Sequence, residues 1–174
     1  MKQVMLDIET LGREPGCAVM SIGAVKFGPD GLGEEFYRTI SLESCALHEL
    51  TVETDTLSWC QLEQGPAALK ELNGDSRLEV ALTAFIRFYG DADEVWANSP
   101  SFDCEIMEAA YEAAGLKEPW EYYEERDHRT LRELPQASSH EEMEDEGTDH
   151  NALDDAKYQA RQAYRTLNNI GYYE

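Results

Sequence analysis

The chain has 174 residues, 42% of them hydrophobic, and sets 36 acidic side chains against 14 basic ones, for a formal net charge of −22 at pH 7. That length and apolar content suit one domain over residues 1–174; without a basic-then-apolar leader or a window near the roughly 18 apolar residues that span a bilayer, a soluble cytoplasmic protein is expected. The charge excludes a protein that coats nucleic acid by neutralising phosphates with Lys and Arg, so any polyanion has to be held locally.

Lys2–Ile8 and Ala18–Phe27 are strand-like, and Gly28-Pro-Asp-Gly closes the second run as a turn, which predicts a hairpin. A third strand near Glu35–Ile40 would complete an antiparallel meander whose first strand delivers Asp7 and Glu9. Leu78, Leu82, Phe85 and Tyr89 recur at helical spacing and predict an amphipathic helix from about Ser76 to Tyr89. Glu94–Ala97 suits a short buried strand. Phe102, Ile106, Ala109 and Ala113 predict a second helix, with Ser101 as its N-cap and Gly115 as its stop.

Gln136 to Asp149 differs in kind. It has almost no apolar residue and bears acids at Glu141, Glu142, Glu144, Asp145, Glu146 and Asp149, so an acidic mobile loop is expected at about 136–149. Beyond it, Ala152, Ala156, Ala160, Ala163 and Leu167 form a narrow small-residue stripe, which predicts a helix packed closely on the sheet. Strands first, then helices alternating with further strands, give an α/β fold: a mixed sheet, part antiparallel meander and part parallel, flanked by helices.

Cys17, Cys45, Cys60 and Cys104 show no CxxC spacing, so reduced thiols are expected; burial of Cys104 outweighs a nucleophilic role with His150. The acids carry more chemistry. Residues i and i+2 of a strand share a face, so Asp7 and Glu9 can address the same cations. Asp103 falls in the first turn of its helix, where the macrodipole favours negative charge. His150 and Asp155 are five apart, about 140° on a helix, and converge only if His150 precedes the helix. Hard divalent cations are held by such carboxylate oxygens, and a pair of cations can split a phosphodiester.

Three motifs in order, Asp7-Ile-Glu-Thr-Leu-Gly, Asn98 through Phe102-Asp103, and His150-Asn-Ala-Leu-Asp-Asp155, resemble those of the DEDDh 3′-to-5′ exonucleases, which have a ribonuclease H-like fold. Thr56-Leu-Ser-Trp59 and Arg126-Asp-His-Arg-Thr130 look like segments of small phage exodeoxyribonucleases and a related group of bacterial exoribonucleases. By that resemblance Asp7, Glu9, Asp103 and Asp155 would hold two Mg²⁺ or Mn²⁺ ions. His150 would take the proton from the attacking water, and Thr10 and Leu11 would hold the terminal nucleotide. Family spacing favours Asp155 over its neighbour Asp154 as the ligand.

Trp59 is a candidate for stacking on a base, and Arg126 and Arg129 for binding phosphate. Lys157, Arg161 and Arg165 form a basic stripe, but Lys157 lies about 200° around the helix from Asp155, so a solvated face is expected there. The resemblance implies an exonuclease that releases nucleoside 5′-monophosphates from single-stranded DNA or RNA 3′ ends, without a membrane and with a homodimer as one form of assembly. The alternative is an acidic DNA mimic that occupies a partner's nucleic-acid groove; it would spread its acids and need no His150.

Overall fold

A computed structural model describes residues 2–62, 74–135 and 151–174 of the chain. Its centre is strand β1 (Gln3–Thr10), which pairs antiparallel with β2 (Val19–Gly28), itself antiparallel to β3 (Gly31–Thr39). On its other side β1 pairs parallel with β4 (Glu94–Ala97), and β4 pairs parallel with β5 (Glu125–Asp127). The sheet order is β3-β2-β1-β4-β5, the mixed meander-plus-parallel sheet expected. The third strand begins earlier than its apolar residues suggest, because Gly28 and Gly31 pair directly and leave only two residues for the turn.

Alternation along β1 divides the interior in two. Val4, Leu6 and Ile8 face a core shared with α3 (Leu78–Tyr89) and α4 (Pro100–Ala113), following the short helices α1 (Leu42–Leu47) and α2 (Thr54–Leu62). Met5 faces the second core, where α6 (Ala152–Asn169) lays Ala156, Ala160, Ala163 and Leu167 against Val25, Phe27 and Trp96. α5 (His128–Arg132) follows β5 and packs beside α6. No helix among the described residues is long and apolar enough to cross a membrane.

Two helix starts differ from the sequence reading. α3 begins at Leu78 because Ser76 is drawn into a bridge with Ile40, where it bonds Thr39 and Ser41 through its backbone. α4 is capped at Ser99, with Pro100 in the first helical position, where its fixed φ suits the helix and its missing N–H costs nothing. Ser101 therefore lies inside the first turn. Gly115, with φ of 67°, ends the helix as expected, its amide bonding the Glu112 carbonyl.

Three contacts fix the seat of α6. Asn151 caps it, accepting from the Asp154 amide, and also donates to the Tyr37 hydroxyl of β3 at 3.3 Å. Lys157 pairs with Glu35 of β3 at 2.9 Å, so this member of the basic stripe is ion-paired rather than merely solvated. Gly23 of β2 lets the helix start touch the sheet: a Cβ there would meet Ala152 C at 2.1 Å and Leu153 N at 2.2 Å.

The far end of the parallel half is tied by a buried carboxylate. Glu94, 3% exposed, accepts from Gln3, Trp96, Arg126 and the Tyr172 hydroxyl. Its bonds to Glu94 and to the Tyr123 and Glu125 carbonyls commit Arg126 to the scaffold, which removes it as a phosphate ligand. Gly23→Ala is expected to push α6 off the sheet, costing about 1–3 kcal/mol in urea unfolding and lowering activity through displaced Asp155; an unchanged midpoint would show that the helix does not need this approach.

Candidate active site

β1 delivers Asp7 and Glu9 on the face that α6 covers, the parity of Met5. The first turn of α6 brings Asp155 over the same face. One carboxylate oxygen from each of the three half-buried residues lies within 4.8 Å of the others. Asp154, the competing ligand, is not in that cluster among the described residues.

Asp103 arrives from the other side of the sheet. β4 stops at Ala97, opposite Leu6, so the outer edge of β1 is open beyond that point. The start of α4 fills the gap: Asp103, 4% exposed, takes the Ile8 and Ser99 backbone amides on its carboxylate. The four carboxylates thus meet at the carboxyl ends of the parallel strands β1 and β4, where α/β sheets open a crevice.

These side chains share the wall of an open pocket of about 540 Å³ with Ile8, Asn98, Ser99, Phe102, Arg129 and Gln159. Arg129 is the cation in that wall among the described residues. Of these, Ser99, Ile8 and Gln159 were not singled out in the sequence, although Gln159 stands one helical turn after Asp155 and so shares its face. Gln159 Nε2 donates to Asp7 Oδ1 at 2.8 Å. A second groove, lined by Glu105, Glu108, Glu112 and Glu118, runs along the outside of α4 and contains none of the motif residues.

Thr10 and Leu11 do not line the pocket. β1 ends at Thr10, so Leu11, which by strand parity would follow Asp7 and Glu9, leaves that alternation, turns into the core and is 0% exposed. Its amide bonds Ala18 and its carbonyl bonds Glu53, while the Thr10 hydroxyl donates to the Gly12 carbonyl. Cys104 is 0% exposed and burial pushes its thiol far up, which leaves no nucleophile there. His150, the acidic run 136–149 and the Trp59 side chain lie outside the described residues; α6 begins at Ala152, with Asn151 as its cap.

Crowding shows in the titration of the acids. Burial, then the charges of Asp103, Glu9 and Asp155, raise Asp7 well above the usual carboxylate range, against the Gln159 hydrogen bond. Burial raises Asp103 to about 7, opposed by the Ser99 and Ile8 amides and by Arg129. A donor set of carboxylate oxygens that resist sharing their charge without a cation fits a hard divalent ion.

A carboxyl whose pKa is raised by folding stabilises the protein below its unfolded pKa near 4 and loses that contribution as pH rises through its folded value. The metal-free protein is therefore expected to melt lower at pH 8 than at pH 5. Asp103→Asn should melt above wild type at pH 8 without metal and approach it toward pH 4, with a residual slope from Asp7 and from Glu125, itself raised to about 7. Melting curves that match wild type at every pH would rule out a strained Asp103.

Solved structures share the fold at low identity. The nuclease domain of 3′hExo, a DEDDh family member bound to rAMP, is 15% identical with a TM-score of 0.66, covering 96% of this chain and 92% of that one. Exonuclease X in complex with 5′ overhanging duplex DNA is 14% identical with a TM-score of 0.60, covering 97% and 93%. A full-length 3′-exonuclease is 14% identical with a TM-score of 0.67, covering 97% of this chain and 61% of that one. No curated protein matches the chain by sequence. Residues 2–167 match the 3′-5′ exoribonuclease Rv2179c-like domain. With its carboxylates gathered in an RNase H-like sheet, the chain belongs to that family of divalent-metal-dependent 3′-5′ exonucleases.

Proposed function

We propose that the enzyme removes nucleoside 5′-monophosphates one at a time from the 3′ end of single-stranded RNA, using two Mg²⁺ or Mn²⁺ ions. The observation that carries this reading is the convergence of the Asp7, Glu9 and Asp155 oxygens within 4.8 Å in a pocket that also holds Asp103. The family's description as exoribonuclease favours RNA over DNA, although structures with the same fold include one bound to rAMP and one bound to duplex DNA. The acids most relevant to chemistry are concentrated, which leaves the DNA-mimic reading without support.

Asp7, Glu9, Asp103 and Asp155 would hold the ions. When bound, these supply charge stabilisation to the attacking and leaving oxygens of an in-line displacement. His150 takes the proton from the attacking water; a histidine titrates close to neutral pH, which suits a general base. In the sequence His150 directly precedes Asn151, the cap of the helix that carries Asp155. Arg129, exposed beside the carboxylates, binds a phosphate of the strand, and Phe102 gives the pocket an apolar wall for the terminal nucleotide. Trp59, on α2, is proposed to stack on a base. Leu11 acts from within the core, holding the end of β1 that presents Glu9.

A net charge of −22 repels the substrate everywhere except at a cation-filled pocket, so binding should be local and brief. Matched 3′-labelled RNA and DNA oligonucleotides, single and double stranded, test the assignment. Single-stranded RNA should be shortened fastest, and EDTA should stop the reaction. Asp7→Asn and His150→Ala, if folded, should each lose at least about a hundredfold in rate; wild-type rates would refute the roles given to them. Arg129→Ala should raise KM about tenfold while the Mn²⁺ requirement stays as in wild type.

A further inference from the structure

We propose that Gln159 is a positioning residue that orients the Asp7 carboxylate for cation binding. It rests on the cation-site reading above and assigns a task to a side chain outside the acid-and-histidine motifs. The helix that supplies Asp155 supplies Gln159 one turn later on the same face, and its Nε2 reaches Asp7 Oδ1 on β1 at 2.8 Å. One element thus presents a ligand and also fixes a second ligand on the neighbouring strand.

The amide is not there for stability alone. Gln159 is 9% exposed, and its Oε1 is buried with no hydrogen-bond partner among the described residues. An apolar side chain of the same length would fill that space without stranding an acceptor. Natural chains break such a local rule mainly where function needs it. With a cation bound, Asp7 is an ionised carboxylate that only accepts, which requires the N–H end of Gln159 to point at it and turns Oε1 away.

A neutral donor has a specific advantage in this pocket. Lys or Arg in its place would hold Asp7 as firmly but would compete with a divalent cation for its charge, and another acid would add to the repulsion. An amide fixes the plane of the carboxylate at Oδ1 and adds no charge. Hydrogen-bonded partners that orient metal ligands are worth about 10–100-fold in metal affinity.

The test follows thermal unfolding of wild type, Gln159→Met and Gln159→Asn against Mn²⁺ concentration, since binding to the folded state raises the melting point by linkage. Met keeps length and helix propensity without the donor; Asn keeps the amide but falls one methylene short. Both variants should need about 10–100-fold more Mn²⁺ for half the rise in melting temperature. Without metal the Met variant should melt at or above wild type. The rate deficit of both variants on an oligonucleotide should shrink as Mn²⁺ is raised, because Asp7 is then held by the cation. A Met variant with the wild-type Mn²⁺ midpoint would overturn the proposal, and so would failure of both variants to fold, which would make Gln159 a packing element. If the wild-type melting point ignores Mn²⁺, the cation-site reading itself fails.

Discussion

Repulsion among carboxylates is the constraint around which this protein is arranged. Asp7, Glu9 and Asp155 place oxygens within 4.8 Å of one another, and Asp103 adds its charge to the same pocket. Nothing in the acids themselves favours that meeting, and burial makes it worse. The scaffold imposes it. α6 is held to β2 and β3 by the Gly23 contact, the Asn151–Tyr37 bond and the Lys157–Glu35 pair, and the alanine stripe brings its backbone close enough for a short aspartate to reach over β1. The energy stored in this way is what a divalent cation relieves, so docking of one helix and affinity for metal are aspects of the same geometry.

The sheet contributes through two irregularities. β4 is only four residues long, which leaves the Ile8 amide near the end of β1 open to the Asp103 carboxylate. β1 itself stops at Thr10, so Leu11 leaves the strand's alternation and is locked inside while Glu9 stays in the pocket. At the opposite end, Glu94 gathers Gln3, Trp96, Arg126 and Tyr172 and joins the last residues of the chain to the parallel strands. The site is thus open at the end where the scaffold is irregular and rigid at the end where it is tied.

Much of this was legible in the residues. Period-two patterning gave the meander, apolar spacing gave α3 and α4, and the alanine stripe announced the close helix. Asp7 and Glu9 sharing a face follows from strand geometry alone, and the need for His150 to precede a helix follows from an angle. Elements of three to six residues, such as β5, α5 and α1, offer too few positions for any period to show. The Ser99 cap was hidden because two serines flank Pro100 and proline itself marks the first helical turn. Leu11 was placed at the nucleotide by resemblance, and nothing local shows that β1 ends at Thr10 and the chain then turns inward; nor does anything local announce that Glu94, distant in sequence, will claim Arg126.

The central claim is that these acids form a cation site. The most direct measurement is a crystal structure of the protein grown or soaked in millimolar Mn²⁺, with anomalous scattering used to locate the ions. Peaks bridging Asp7, Glu9 and Asp155, with Asp103 at hand, are the expected result. An empty pocket at that concentration, or manganese bound only along the Glu105–Glu108 groove, would contradict the account.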